Sequence, residues 1–321
     1  MTLKIIKTDG MLGVEAEQMA YLDGMDVEFI EKTLLTEDEL IAECADADAL
    51  MVLREPITAR VLAALPKLKV IGRFGVGLDT IDVDAATKAG VQITYVPDSN
   101  IDEVSTHALA MILALTRRLK LFDTAVRAGR WKALADGNGM IRPDRQTLGL
   151  IGFGQIGRLT AKKAAAFGYS IIAYDPHMPA DRIEAAGAKP VSLDTLIETA
   201  DVISLHVPFT PETRNILSRD AVARMRPGAM VINVARGGLI DEEALAEALK
   251  SGHLSAAGLD TLESEPPSAD NPLLQLDNVL LSPHAAHFST QSYAEVRSKV
   301  FADVVAVLKG EKPKYPVNLK G

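Results

Sequence analysis

Short runs rich in β-branched residues alternate along this chain with longer, alanine-rich stretches, and this alternation limits the fold more than any other feature. It predicts parallel strands joined by helices that cover both faces of a sheet. The apolar run Leu148-Gly149-Leu150-Ile151 is typical of a strand buried on both faces. At 321 residues the chain has about twice the usual domain length, so we expect two domains.

The predicted strands form two series, separated by one long helix predicted over residues 104–121. A final amphipathic helix is predicted over residues 292–308. The pattern therefore predicts an α/β protein of two doubly wound parallel-sheet lobes. The predicted strands are residues 3–7, 49–53, 69–73 and 92–96 in the first series, and 147–151, 170–174, 201–205, 229–233, 256–259 and 278–281 in the second.

Composition and charge argue against several classes of protein. With 48% hydrophobic and 24% charged residues, the chain has the composition of an ordinary globular protein. The net charge is −9 and the basic residues are scattered, so we expect no nucleic-acid partner. The chain has one cysteine, Cys44, so we expect no internal disulfide. It has no Cys/His cluster, so we expect no metal site. No signal peptide or membrane-length apolar run is evident, so we expect no membrane association and a cytoplasmic location.

The segment Gly152-Phe153-Gly154-Gln155-Ile156-Gly157 follows a predicted strand and precedes a helix predicted over residues 158–167. In such a turn the first glycine permits the sharp bend, the second lets backbone approach a pyrophosphate, and the third lets helix and strand pack closely. The helix N-terminus then attracts the phosphates. Asp175 comes 23 positions after Gly152, near the spacing of the acid that binds the adenosine ribose, and would repel a 2′-phosphate. The turn therefore predicts NAD as cofactor.

Several strands of the second series are followed directly by glycine or by a polar residue. Carboxyl ends of parallel strands meet at one edge of a sheet, so we expect these residues to lie together. Among the histidines, His284 follows the last strand and has proline and small neighbours, with His287 as its rival. His107 is better explained as a packed or solvated residue of the connecting helix, and His253 as a helix cap. The residues at this edge are Gly152, Asp175, His206, Arg236, Asp260 and His284.

Three segments resemble the signatures of the D-isomer-specific 2-hydroxyacid dehydrogenases, and nearest among them the branch of phosphoglycerate dehydrogenase and C-terminal-binding protein. They read NVARGGLID at residues 233–241, GLDTLESEP at 258–266 and SPH at 282–284. Segments 74–79 and 127–131 extend the resemblance over nearly the whole chain. It implies a Rossmann NAD-binding domain, residues 104–291, inserted into a flavodoxin-like substrate (catalytic) domain made of residues 1–103 and 292–321. It also implies a homodimer formed through the cofactor domain.

By position in these motifs, the resemblance assigns Arg236 as the catalytic arginine, Glu265 as the acid and His284 as the histidine. The chemistry agrees, because reduction of a 2-oxo acid needs a proton donor, which an imidazole oriented by a carboxylate supplies. A guanidinium binds the substrate carboxylate through two hydrogen bonds. Arg54 is either a further substrate contact or a surface arginine. The remaining implied contacts are Val76 and Gly77 to the substrate, and Val207, Pro208, Thr213, Val234, Ala235 and Asp260 to the cofactor.

The chain departs from the family pattern at three positions. Gln155 stands where many members carry arginine, Thr106 replaces the usual acid, and His287 stands where tryptophan is frequent in the C-terminal-binding-protein branch. The predicted function is an NAD-dependent D-2-hydroxyacid dehydrogenase or 2-oxo acid reductase acting on glyoxylate, hydroxypyruvate or 3-phosphohydroxypyruvate. The alternative is an NAD(H)-sensing, corepressor-like binding protein with secondary dehydrogenase activity. Formate dehydrogenases pair their histidine with glutamine, so Glu265 argues against that activity.

Overall fold

The structure, a computed structural model, describes residues 2–132 and 137–319. The strands in chain order are β1 Leu3–Lys7, β2 Val27–Glu31, β3 Ala49–Val52, β4 Val70–Arg73, β5 Gln92–Thr94, β6 Thr147–Ile151, β7 Ser170–Tyr174, β8 Lys189–Pro190, β9 Val202–Leu205, β10 Met230–Asn233, β11 Ala256–Leu259 and β12 Val279–Leu281. The α-helices are α1 Ala16–Met19, α2 Glu37–Cys44, α3 Ala59–Ala64, α4 Val83–Lys88, α5 Ile101–Thr116, α6 Leu119–Arg127, α7 Gln155–Ala165, α8 Ala180–Ala185, α9 Leu193–Thr199, α10 Arg219–Arg224, α11 Glu242–Ser251 and α12 Thr290–Leu308.

The chain divides into two compact units, one of Met1–Asn100 with Ser289–Gly321 and one of Ile101–Phe288. Both junctions lie three residues earlier in the chain than predicted. The first differs because α5 already begins at Ile101. The second differs because α12 begins at Thr290, where Ser289 accepts the backbone N–H of Ser292 and caps the helix.

In the first unit the described residues form a five-stranded parallel sheet in the order β2-β1-β3-β4-β5. This is the flavodoxin-like strand order. Strand β2 was not predicted, because its apolar residues are only half-buried and are interrupted by Glu28 and Glu31. Such alternation is what an edge strand exposed to solvent tolerates.

Helix α12 covers one face of this sheet with a stripe of apolar side chains. Its Val300, Phe301 and Val304 are buried in the same core as Ile5 of β1. A side chain at Gly72 of β4 is excluded, because its Cβ would lie 2.5 Å from a methyl carbon of Val304. Each fully buried apolar side chain stabilises the fold by about 1.5–3 kcal/mol, so this helix is an integral part of the first unit's core.

The second unit contains, within the described residues, a seven-stranded parallel sheet in the order β12-β11-β10-β9-β6-β7-β8. Counted from β6, this is the Rossmann order 3-2-1-4-5-6 with one further strand. The predicted fold class is therefore confirmed. The two-residue edge strand β8 was missed because it is short and ends in Pro190.

The single helix predicted over residues 104–121 is wrong. The chain forms α5 and α6, separated at Arg118, whose backbone is left-handed with φ of 49°. Helix α5 buries residues such as Ala108 and Ile112, whereas Ala125 is the buried residue of α6. The break is hard to predict because the helical pattern of apolar residues continues through it, without a glycine or proline. Among the described residues, no helix has the length and apolar character needed to cross a bilayer.

Candidate active site

The glycines of the turn after β6 differ in what surrounds them. A Cβ on Gly152, whose φ is +95°, would lie 2.6 Å from the carbonyl carbon of His206 at the end of β9. A Cβ on Gly157 would lie 2.4 Å from the carbonyl oxygen of Gly152. A Cβ on Gly154 would meet no atom within 4 Å. Two glycines are therefore required by the protein itself, whereas Gly154 leaves backbone open to a ligand.

Helix α7 starts directly at this open backbone, because Gly154 is its N-cap residue and Gln155 its first helical residue. It begins three residues earlier than predicted, so the N–H groups of its first turn belong to the glycine-rich segment itself. Gln155 is exposed, and Ile156 packs partly into the core below. Exposed N–H groups at a helix N-terminus suit an anionic group, so these residues fit the pyrophosphate of a dinucleotide.

Asp175, directly after β7, lies next to the turn. One of its carboxylate oxygens accepts the backbone N–H of Phe153 at 2.8 Å, and the other accepts that of His177 at 2.9 Å. These bonds fix the carboxylate beside the glycine turn, where the acid that binds ribose is expected.

The loop after β9 packs against the same turn. The imidazole of His206 contacts the hydroxyl of Ser204 at 2.9 Å, and burial of the ring lowers the pKa of His206 to about 4. The imidazole is therefore neutral at pH 7. Val207 would contact a side chain at Gly152, and the hydroxyl of Thr213 donates to the carbonyl of Pro208 at 2.6 Å. The predicted cofactor residues 207, 208 and 213 thus belong to one internally bonded loop.

His284 and Glu265 meet through a hydrogen bond of 2.7 Å between Nδ1 and Oε2. Their side chains are 27% and 31% exposed, so the pair is open to a small molecule. An ionised carboxylate only accepts hydrogen bonds, so Nδ1 of His284 carries a proton and donates it. Nε2 is then the nitrogen that can take up or release a proton. The backbone of His284 is left-handed, with φ of 54°.

Arg236 follows β10 in a loop whose backbone is held by hydrogen bonds to the buried side chain of Asn233. The Asn233 side chain accepts the N–H of Ala235 at 3.0 Å and donates to the carbonyl of Arg236 at 2.8 Å. The next residue, Gly237, lies so close to Leu262 that a Cβ would be 1.9 Å from its carbonyl carbon. The arginine loop and the loop that carries Glu265 are therefore packed backbone against backbone. Val234 is buried and Ala235 half-buried in this loop.

Asp260 directly follows β11, as expected, and its side chain is fully buried, which the sequence did not indicate. Its carboxylate accepts the hydroxyl of Ser282 at 2.5 Å and the backbone N–H groups of Ala285 and Ala286 at 2.8 and 2.9 Å. The hydroxyl of Ser282 also contacts Nε2 of His107 at 2.9 Å. The sequence predicts only a packed or solvated side chain for His107, because a histidine in a helix carries no local signal of this contact.

Each of the six residues expected at one sheet edge follows a different strand of the seven-stranded parallel sheet. Four of them come directly after the strand, and Arg236 and His284 come three residues after it. In the first unit, Arg54 and the segment Val76-Gly77 come after β3 and β4, which are parallel neighbours. Arg54 and Val76 are exposed. The hydroxyl of Thr106, at the position of the family's acid, accepts Nζ of Lys163 at 2.6 Å.

His287 lies edge-on to His284, with ring centroids 5.7 Å apart and an angle of 85° between the ring planes. It therefore places a second imidazole beside that of His284. Across residues 2–132 and 137–319, no group of three or more potential metal-ligating side chains occurs.

Comparison with known proteins gives consistent results. The sequence model of the family described as D-isomer specific 2-hydroxyacid dehydrogenase, NAD binding domain, matches residues 109–286. D-3-phosphoglycerate dehydrogenase of Mycobacterium tuberculosis is 42% identical over 285 residues, which are 88% of this chain and 53% of that protein. Glyoxylate reductase of Korarchaeum cryptofilum is 38% identical over 87% of this chain and 85% of its own length.

A D-lactate dehydrogenase structure from Aquifex aeolicus, complexed with NAD and lactic acid, superimposes with a TM-score of 0.89. It is 29% identical and covers 99% of this chain and 100% of its own. The phosphoglycerate dehydrogenases are longer, and the chain spans about half the length of those relatives.

Proposed function

The chain belongs to the D-isomer-specific 2-hydroxyacid dehydrogenases, and on this basis we propose that it interconverts a small 2-oxo acid and its D-2-hydroxy acid with NAD as cofactor. The observation that carries the proposal is the hydrogen bond of 2.7 Å between His284 and Glu265, on the sheet edge that also carries the dinucleotide turn. A proton-transferring group and a site for a hydride carrier are the two requirements of this chemistry.

His284 is the general acid in reduction and the base in oxidation. Its Nδ1–H is held by Glu265, so Nε2 delivers a proton to the carbonyl oxygen of the 2-oxo acid and takes it back in the reverse direction. Glu265 orients the ring and stabilises the charged imidazolium. NAD, when bound, supplies or accepts the hydride.

Arg236 binds the carboxylate of the substrate and polarises its carbonyl group. It is half-buried, its Nη1 donates to the carbonyl of Ala235 at 2.8 Å, and a guanidinium matches a carboxylate with two parallel N–H donors. Its loop packs directly against the loop of Glu265, and this supports a joint role with His284. Val76, Gly77 and Arg54 are proposed as additional substrate contacts.

The turn at residues 152–157 holds the pyrophosphate, and Asp175 accepts the adenosine ribose hydroxyls. A carboxylate at this place disfavours NADPH, because it repels the 2′-phosphate. Asp260 is proposed to act on the nicotinamide side through the backbone of Ala285 and Ala286, which its carboxylate holds.

A panel of 2-oxo acids tests the proposal. Purified protein is mixed with glyoxylate, hydroxypyruvate or 3-phosphohydroxypyruvate, and oxidation of NADH or NADPH is followed by absorbance. We expect turnover with NADH on at least one acid, and a lower kcat/KM with NADPH. His284→Ala should abolish turnover while NADH still binds, and Arg236→Gln should raise KM for the acid. NADH binding without turnover on any acid would refute the reductase and favour an NAD(H) sensor.

We also propose that the chain forms a homodimer through the surface around α6. Several large apolar side chains are exposed there, including Leu119, Val126 and Trp131, the last at 86%. Exposed apolar patches of this kind mark interfaces between protein chains. A second copy of the chain is the partner that the family resemblance implies. Light scattering should give the mass of two chains, and Val126→Asp should give that of one; a monomeric wild type would refute the dimer.

A cytoplasmic location is proposed because the single thiol, Cys44, is free and buried. Free cysteines are typical of reducing compartments. Fractionation of cells that express the protein would test this, and recovery with membranes or in the secreted fraction would contradict it.

A further inference from the structure

A line of polar contacts runs from helix α5 to the loop that carries His284. Nε2 of His107 lies 2.9 Å from the hydroxyl oxygen of Ser282, which in turn lies 2.5 Å from Oδ1 of Asp260. The carboxylate is completely buried, whereas the His107 side chain is 28% exposed. These three residues lie in the second unit and form no part of the proton transfer described above.

The direction of the hydrogen bonds in this line follows from chemistry. An ionised carboxylate has no proton to give, so the single hydroxyl proton of Ser282 points to Asp260. Ser282 can then only accept from His107, and Nε2 of His107 must carry a proton. The imidazole of His107 is therefore fixed as a donor to Ser282. It thereby holds Ser282 in the orientation in which its hydroxyl donates to the buried carboxylate of Asp260.

The buried carboxylate determines the backbone around His284. It accepts the N–H groups of Ala285 and Ala286, and the carbonyl of Asp260 accepts the N–H of His284 at 2.7 Å. Asp260 thus binds three successive backbone N–H groups, beginning with that of His284. His284 itself has the left-handed conformation that residues other than glycine rarely adopt. Such a conformation persists only where the surrounding structure enforces it, and here Asp260 supplies the enforcing bonds.

We propose that His107 is a positioning residue for His284, acting through Ser282 and Asp260 and not through contact with substrate or cofactor. The proposal rests on the proposed dehydrogenase activity. A leucine at position 107 would fill similar space but would leave the hydroxyl of Ser282 without this donor. The carboxylate of Asp260 would then be free to shift, and the backbone of His284 with it. Loss of position at the proton-transferring group slows the chemical step more than it weakens ligand binding.

Kinetics of matched variants test this inference. His107→Leu is expected to lower kcat about tenfold, as loss of one hydrogen bond near a charge would, while KM for NADH changes less than about twofold. His107→Gln places an amide N–H near the position of Nε2 and should restore most of kcat. His253→Gln is the control, because His253 contacts the carbonyl of Val222 at 3.2 Å, away from this line. It should behave like wild type.

An unchanged kcat in His107→Leu would overturn the proposal, as would equal losses in the leucine and glutamine variants. A purely packing role predicts the latter, since glutamine fills the space no better than leucine. If His107→Leu fails to fold, the glutamine variant still discriminates, because only a donor role predicts that it is active.

The hydrogen-bond direction is tested without activity. In the unliganded protein with ¹⁵N-labelled histidine, NMR should show Nε2 of His107 protonated, with the signal assigned by its loss in His107→Gln. A signal from unprotonated Nε2 would overturn the proposal even in an active enzyme. Absence of turnover by wild type on every 2-oxo acid would instead refute the proposed function, so the two failures are distinguishable.

Discussion

Gly154→Ala and Gly157→Ala are expected to affect different properties. Gly154→Ala should weaken cofactor binding, whereas Gly157→Ala should destabilise the fold. Gly154 has φ of −66° and ψ of −158°, which alanine tolerates, and its Cβ would meet nothing within 4 Å. The Cβ of an alanine at 157 would lie 2.4 Å from the carbonyl oxygen of Gly152, a distance that real Cβ contacts do not show. The helix or the turn would have to move.

The magnitudes follow from these distances. Overpacking of this kind costs about 1–3 kcal/mol, so Gly157→Ala should destabilise the second unit by that amount. In a unit of this size each kcal/mol lowers Tm by about 2–4 °C, which predicts a loss of about 2–12 °C. Gly154→Ala should change stability by less than about 0.5 kcal/mol. Its methyl group would lie at the proposed pyrophosphate contact. The loss of one charged hydrogen bond there, about 1.5–3 kcal/mol, should weaken NADH binding about 10- to 150-fold.

Thermal unfolding of the unliganded protein measures the first effect, and titration with NADH, followed by its fluorescence, measures the second. Gly13→Ala is a suitable control, because its Cβ would also meet no atom within 4 Å and it lies in the first unit. It should change neither quantity. Wild-type affinity for NADH in Gly154→Ala, or equal loss of Tm in both turn variants, would refute this account of the turn.

Three further predictions concern single side chains. Glu265→Gln keeps a hydrogen-bonding group beside His284 but removes its charge; kcat should fall about 10- to 100-fold with NADH affinity unchanged, and an unaltered kcat would contradict the pairing. Asp175→Asn should raise the kcat/KM ratio of NADPH to NADH about tenfold, because the carboxylate that repels a 2′-phosphate is gone, and a constant ratio would contradict its selective role. His206 has a folded-state pKa of about 4, so its contribution to stability is complete above its unfolded pKa of about 6.5 and is lost as pH falls toward 4. His206→Gln should flatten the decline of Tm between pH 6.5 and 4.5, and a decline as steep as that of wild type would show that another group causes it.

The fold class was predictable because each lobe repeats a pattern with one physical meaning, a buried strand followed by a helix. The strands at positions 147–151 and 170–174 were predicted with their observed bounds. Edge strand β2 was missed because an edge strand tolerates charges such as Glu28 that a central strand would not. The break at Arg118 depends on a single left-handed residue, and arginine gives no local signal of that conformation.

The residues of the candidate site that belong to recognisable motifs, Arg236, Glu265 and His284, were predictable from the sequence. The pairing of His284 with Glu265 was expected from the family resemblance, but the hydrogen bond between Nδ1 and Oε2 required the structure. The environment of Asp260 could not be predicted, because its carboxylate is buried against the hydroxyl of Ser282 and the backbone N–H of Ala285, which lie 22 and 25 residues further along the chain. His107 was missed for the same reason, since its partner Ser282 lies 175 residues further along the chain.

The two units differ in when their segments are synthesised. The second unit is continuous, from Ile101 to Phe288, so all of its strands have been synthesised when residue 288 emerges. The first unit is divided, and its sheet lacks the cover of Val300, Phe301 and Val304 until α12 has been made. At about 5–20 residues per second, the first hundred residues therefore wait on the order of ten seconds or more with an apolar sheet face exposed. We expect nascent chains without α12 to bind chaperones through that face, although the cofactor-binding unit can already be folded.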